Sequence, residues 1–171
     1  MDTVPPAVRS RMMAAIHGRD TRPELLVRRH LWHAGWRYRV CDSRMPGKPD
    51  IVVPRARTVI EVRGCFWHRH GWTWDGRKLV QEAACADATW PKSNRPFWNA
   101  KFRANVRRDA RNELLWRDSG WNVVVLWTCG LVPARLEATL AWLDRILARW
   151  AAVRLRPAPT GGGCARPGSA R

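Results

Sequence analysis

One strand and the loop that follows it constrain this chain more than any other part of its sequence. Thr58-Val59-Ile60-Glu61-Val62 is apolar apart from a single carboxylate and reads as a buried strand. It runs directly into Gly64-Cys65-Phe66-Trp67-His68-Arg69-His70, which sets two metal-ligand side chains, a further imidazole and two aromatic rings in one short loop. The fold has to deliver these groups together at the end of a strand.

Cap and turn signals place the other elements. Thr21-Arg22-Pro23-Glu24 opens a helix with Thr21 as N-cap, and the helix runs through Leu25, Leu26, His30, Leu31 and Trp32 to a stop at Gly35. Trp36, Tyr38 and Val40 alternate with Arg37 and Arg39 as a half-buried strand. Met45-Pro46-Gly47-Lys48-Pro49 is a turn, after which Asp50-Ile51-Val52-Val53 pairs with Thr58 to Val62 across Pro54-Arg55-Ala56-Arg57. Residues 71–84 read as a polar inserted loop, and Trp90 to Pro96 as extended chain. A long helix from Phe97 to about Ser119 ends at Gly120. Asn122 to Trp127, the most apolar strand, is expected at the centre of the sheet. Pro133 starts a last helix with Leu136, Leu140, Leu143 and Leu147 on one stripe. The expected fold is α/β, a mixed sheet flanked by helices. A basic arm (1–20) precedes a single domain (21–151), and a disordered basic tail (152–171) follows it.

The 171 residues suffice for one domain with a core, and their formal net charge is +17. Four arginines and no acid from Ala152 onward leave +13 on the body. Such a surplus calls for a polyanionic partner, nucleic acid first. An anionic membrane is the weaker alternative, because no basic amphipathic anchor stands apart and no apolar stretch could span a bilayer. Twelve tryptophans exceed what core filling alone explains, and flat bases suit exposed rings. Five widely spaced cysteines without an apolar leader point to a reducing cytoplasm, where Cys with His more often means metal than disulfide.

Three constellations carry chemistry. Asp50 begins one strand and Glu61 lies on the next, so both carboxylates come within range of one Mg²⁺, an ion that prefers oxygen ligands and keeps several waters. Arg63, on the same face of its strand as Glu61, completes a PD-(D/E)xK-like pattern with arginine in place of lysine. The plain alternative is a surface salt bridge between Glu61 and Arg63. Cys65, His70, Cys85 and Cys129 make a four-ligand set suited to structural Zn²⁺, against the alternative that Cys85 and Cys129 are buried thiols. Phe66, Trp67 and Trp98 are candidate wedges between base pairs, against the alternative that they cap the core.

Together with Arg9-Ser10-Arg11-Met12-Met13, Arg19-Asp20-Thr21, Pro46-Gly47-Lys48-Pro49-Asp50, Pro91-Lys92-Ser93-Asn94, Asn105 to Asp109 and Gly120 to Cys129, these residues resemble the very short patch repair (Vsr) endonuclease family over residues 9–131. The resemblance implies a restriction-endonuclease-like fold and nicking of DNA 5′ to the thymine of a T·G mismatch left by deamination of 5-methylcytosine. It implies that Asp50 and the carbonyl of Val62 hold Mg²⁺, that His68 activates water, and that Glu24 holds a metal-bound water, although a capping box already accounts for Glu24. It assigns zinc to Cys65, His70, Cys85 and Cys129, and intercalation to Phe66, Trp67 and Trp98. Met13 and Ile16 would enter the minor groove, and Lys101 and Asn105 would lie near the mismatched pair. Two features depart from the family: Arg63 stands where a histidine is often found, and residues 71–84 separate the zinc ligands.

The expected activity is that of a Mg²⁺-dependent, zinc-containing DNA mismatch endonuclease, a cytoplasmic, nucleoid-associated bacterial monomer with a mismatch-repair protein as a candidate partner. The other readings are a DNA-distortion binder with impaired cleavage and a modification-dependent restriction endonuclease.

Overall fold

The computed structural model describes Val8 and residues 19–155. The expected N-terminal arm with Met13 and Ile16, and residues 156–171 of the expected tail, lie outside the described residues.

Helix α1 (Arg22–His33) starts as its sequence directs. Thr21 Oγ1 accepts the Glu24 N–H at 3.5 Å, while the Glu24 carboxylate accepts the Thr21 hydroxyl and the Asp20 N–H. These bonds satisfy donors that any helix start leaves over. The helix closes in a Schellman motif, with the Trp36 N–H on the Leu31 carbonyl at 2.9 Å, the Gly35 N–H on the Trp32 carbonyl at 3.1 Å, and Gly35 at φ +80°. That closure corrects the expected strand over 36–40. Trp36 is buried as the apolar partner of the helix end, and β1 is only Arg39–Val40, both exposed.

The main sheet has the order β1-β2-β3-β6, with β2 at Ile51–Val53, β3 at Thr58–Arg63 and β6 at Asn122–Trp127. β2 runs antiparallel to β3 with Ile51 opposite Ile60, and β6 runs parallel to β3 with Arg63 opposite Trp127. Side chains alternate across β3. Ile60 and Val62 join Val27 and Leu31 of α1 and Leu143, Leu147 and Ala151 of α3 (Pro133–Leu155) in one core. Glu61 and Arg63 turn to the opposite face, where Arg63 meets Glu113 of α2 (Arg95–Asp118). Helices thus cover both faces of a mixed α/β sheet.

Among the described residues the inner strands are β2 and β3, and β6 lies at an edge. β3 is paired on both edges, whereas among the described residues β6 pairs only with β3. The apolar run Asn122 to Trp127 reports cover by helices on the faces, and that is independent of strand order.

Residues 71–84 are also more ordered than a polar loop. Trp72–Trp74 (β4) and Leu79–Gln81 (β5) form an antiparallel hairpin. Its turn is set by Asp75, whose Oδ1 accepts the N–H groups of Arg77 and Lys78 at 2.8 Å each, and by Gly76 at φ +100°. Asp-Gly between β-forming residues is a hairpin signal that polar composition obscured.

The long helix begins at Arg95 rather than Phe97, because Pro96 fits a first helical turn, where its missing N–H costs nothing. It ends as expected, the Trp121 N–H reaching the Trp116 carbonyl and Gly120 taking φ +74°. α3 runs to Leu155, so residues 152–155 of the expected tail are helical. No described helix is long and apolar enough to cross a membrane.

Candidate active site and metal centre

The parallel register of β3 and β6 builds the candidate metal centre. Because Arg63 lies opposite Trp127, Cys65 and Cys129, each two residues beyond its strand partner, emerge side by side. Thr128 ties the two strand ends together, its Oγ1 accepting the Cys65 N–H at 3.2 Å. The loop then coils back on itself, the His68 N–H reaching the Gly64 carbonyl and the His70 N–H the Cys65 carbonyl, each at 3.0 Å. His70 Nδ1 thereby comes to 3.7 Å from Cys65 Sγ and 3.3 Å from Cys129 Sγ, its ring stacked on Trp127. After the β4–β5 hairpin the chain returns Cys85 to the same point. Ligand atoms of Cys65, His70, Cys85 and Cys129 all lie within 4.8 Å of one another, a group able to hold a metal ion. Burial, and then the neighbouring Cys65 and Cys85, push the Cys129 thiol up to about 12. Thiols so crowded ionise together only around a cation.

Beside this centre, a cavity of about 960 Å³ is lined by Glu24, Asp50, Glu61, Val62, Arg63 and His68, among others. The turn before Asp50 is clamped to α2. Trp116 Nε1 donates to the Pro46 carbonyl at 2.8 Å, and Gly47 (φ +72°) lies so close to Asn112 that a Cβ would stand 2.2 Å from its amide nitrogen. Asp50 Oδ2 accepts the Val62 N–H at 2.8 Å, and the Asp50 N–H donates to Glu61 at 3.3 Å. Burial raises the Asp50 carboxyl above its usual range. Burial and then the charge of Asp50 push Glu61 up to about 7. Two half-buried acids with no lysine or arginine hydrogen-bonded to either among the described residues make a place for a cation.

His68 lies on the same cavity wall, its Nδ1 2.5 Å from Asp109 Oδ2 on α2. Burial raises the Asp109 carboxyl, but the hydrogen bond and charge of His68, with Arg63 and Arg108, outweigh it, so Asp109 titrates below the usual range. An ionised Asp109 can accept a proton carried on Nδ1, the tautomer of the neutral ring in which Nε2 holds the lone pair.

Arg63 is not on the surface and does not form the simple exposed pair with Glu61. It is buried, donates to Glu113 at 2.7 Å and lies 3.8 Å from Glu61 and 4.0 Å from Asp109, while its Nη2 has no hydrogen-bond partner. Glu24 is engaged through both oxygens, by Thr21 on one and by Asp20 and Arg28 on the other, although it reaches the cavity wall.

The aromatic candidates come together as a cluster. Phe66 meets Trp67, Trp98 and Phe102 edge-on at 5.1, 5.3 and 5.2 Å, and Lys101 stands over the Trp67 ring at 5.9 Å. The Asn105 amide donates to the Trp67 carbonyl at 2.8 Å, which fixes the loop from the helix side.

Asp109 beside His68 and Glu113 beside Arg63 are the neighbours to which the sequence alone assigns no role. A polar stripe at helical spacing (Lys101, Asn105, Arg108, Asp109, Asn112) was there to be found, and all five line the cavity. Searching a helix only for its apolar face passes over it.

The family described as DNA mismatch endonuclease Vsr matches residues 1–74. The type II nicking enzyme V.NmeAIP of Neisseria meningitidis is 41% identical over 123 residues, covering 72% of this chain and 79% of that protein. The type II nicking enzyme V.XorIIP of Xanthomonas oryzae is 38% identical over 144 residues, 81% of this chain and 96% of that one. The DNA mismatch endonuclease Vsr of Escherichia coli is 36% identical over 144 residues, 84% of this chain and 83% of that one.

Proposed function

The chain belongs to the Vsr family of DNA mismatch endonucleases, and on that premise we propose that it nicks one strand of duplex DNA 5′ to the thymine of a T·G mismatch. The observation that carries this reading is the meeting of Asp50 and an Asp109-oriented His68 on the wall of one cavity.

Asp50 and the Val62 carbonyl are the proposed Mg²⁺ ligands. The half-buried, raised carboxyl of Asp50 and the acid beside it fit a cation with few protein ligands and several waters. Bound there, Mg²⁺ would polarise the phosphate as a Lewis acid. His68 takes the proton from the attacking water at Nε2, and Asp109 holds the ring and steadies the charge it gains. Arg63 draws the carboxyls of Glu61 and Asp109 downward, without offsetting the burial and Asp50 charge that raise Glu61, and its unpaired Nη2 is the donor left for charge developing on the phosphate. Glu24 orders water at the cavity edge. Asp50, Glu61 and Arg63 on adjacent strands support a PD-(D/E)xK-type site.

Zinc is the proposed occupant of the Cys/His centre. Tetrahedral Zn²⁺ sets its sulfur and nitrogen ligands about 3.6 Å apart, near the 3.7 and 3.3 Å between His70 and two of its thiols. Four protein ligands leave no open position, so the ion's role is to hold the loop carrying Phe66, Trp67 and His68. Phe66, Trp67 and Trp98 are the proposed wedges at the mismatch, with Lys101 beside them on the cavity wall.

Nicking of a T·G duplex with Mg²⁺, run beside matched, methylated and hemimethylated duplexes, tests the reading. Nicking confined to T·G is expected. Binding without nicking would favour a distortion binder, and cutting of methylated matched DNA a restriction enzyme. Asp109→Asn should lower the nicking rate by about 10²–10⁴-fold with affinity for the duplex unchanged, because it disturbs the base and not the interface; an unchanged single-turnover rate would remove Asp109 from the mechanism. Affinity for duplex should fall with salt at a log–log slope of about 0.9 per phosphate neutralised, and a flat response in a binding titration would contradict an interface dominated by phosphates.

A further inference from the structure

Three successive turns of α2 each hold one group of the segment from Arg63 to His68. Asn105 donates to the Trp67 carbonyl at 2.8 Å, Asp109 Oδ2 stands 2.5 Å from His68 Nδ1, and Glu113 Oε1 accepts from Arg63 Nη1 at 2.7 Å. Residues 105, 109 and 113 are four apart, so the helix presents them on one face. Arg63 lines the cavity, whereas Glu113 is not among its lining residues and stands behind the guanidinium.

Arg63 has a choice of anions. Its side chain is 6% exposed, and Nε lies 3.8 Å from Glu61 Oε2 and 4.0 Å from Asp109 Oδ2, too far for a hydrogen bond to either. Among the described residues Glu113 is the one carboxylate it hydrogen-bonds, and Nε and Nη2 have no partner. A charge-assisted bond to Glu113 therefore sets which way the guanidinium faces. Turned the other way, it would fork onto Asp109 or Glu61. It would then compete with His68 for the Asp109 oxygen, or pair off the acid beside Asp50. The carboxylate that prevents this is steadied in turn, its second oxygen lying 3.6 Å from Arg117 Nη2 one turn along α2.

We infer that Glu113 is a positioning residue of the proposed nicking reaction: a tether on α2 that holds the Arg63 guanidinium off Asp109 and Glu61 and leaves its remaining donors for the phosphate. This rests on the nicking reading and adds to it a residue behind the cavity wall.

The test is a double-mutant cycle on the full-length protein, read as single-turnover nicking of the T·G duplex with Mg²⁺ and, separately, as affinity for that duplex. Glu113→Leu removes the acceptor; Glu113→Gln keeps an acceptor without the charge. A misplacement of about 1 Å by a change away from the chemistry can cost about 10²-fold in rate. Glu113→Leu is expected to lose about that factor with affinity unchanged, and Glu113→Gln to recover most of it. In an Arg63→Met background, Glu113→Leu is expected to cause no further loss, because a tether acts only through what it holds. Glu113→Asp keeps the charge but withdraws the acceptor by one methylene. It repeats the comparison should the leucine variant fail to fold, and is expected to be slow as well. A wild-type rate in the leucine or aspartate variant would overturn the proposal. So would a glutamine variant as slow as leucine, or a loss of the same size with and without Arg63, which would make Glu113 a structural residue. Wild-type protein that nicks no duplex would bring down the nicking reading and the role of Glu113 with it, whereas a nicking wild type with an unaffected Glu113 variant brings down Glu113 alone.

Discussion

Asp50→Asn should reduce Mg²⁺-dependent nicking by about 10³-fold or more while leaving a folded protein that still binds the mismatched duplex. A divalent ion is worth several kcal/mol of transition-state stabilisation, and each 1.36 kcal/mol is tenfold in rate. The amide keeps the acceptor that receives the Val62 N–H, so the turn over Pro46-Gly47 has no reason to move. What it loses is the negative charge beside Glu61. In the metal-free protein that charge is a liability, since burial holds Asp50 above its usual range and Asp50 in turn pushes Glu61 up to about 7. Removing it relieves like-charge repulsion. The same variant should therefore melt no lower than wild type at pH 8 without metal. Loss of activity with stability kept or gained marks a functional residue rather than a structural one. Single-turnover nicking and thermal melting measured on one preparation decide it; near-normal nicking at saturating Mg²⁺ would mean that Asp50 does not hold the ion.

The second large effect is on the fold. Cys85→Ala should lose about one equivalent of bound zinc, and with it about 5 kcal/mol or more of stability, since binding energy at a structural site is folding energy. For a chain of this size that corresponds to a drop in Tm of about 10–20 °C. The loop between Cys65 and His70 would loosen, taking His68 from Asp109 and the Phe66–Trp67 pair from Trp98. Nicking should fall together with stability, unlike Asp50→Asn. Cys41→Ala is the control, because Cys41 lies outside the ligand group, and it should change neither metal content nor melting. Elemental analysis and calorimetry read both quantities. A Cys85→Ala protein with full zinc and a wild-type melt would show that the hairpin does not return its cysteine to the ion.

Local chemistry made much of this legible in the chain itself. Thr21 and Glu24 announce a helix start, and Gly35 and Gly120 its ends, because a left-handed C′ position suits glycine. The strand 58–62 and its partner 50–53 follow from alternation across a short turn. The grouping of Cys65, His70, Cys85 and Cys129 could be anticipated because thiolates and imidazole are a small vocabulary, whatever lies between them. Residue type and near-neighbour spacing determine such features, and both are written in one dimension.

Other features depended on distance between elements. That β3 is an inner strand and β6 lateral, that Arg63 faces three carboxylates rather than water, and that Asp109 of α2 stands behind His68 across 41 residues of chain are outcomes of packing. Arg69 is the sharpest case. In sequence it is one more arginine in a chain of net charge +17, and only the enclosure of its guanidinium by Trp72, Trp90 and Phe102 removes it from solvent. Charge in water is screened and nearly indifferent to its neighbours, while charge in the interior must find a partner. Which arginine is which is decided when the sheet and helices close over it.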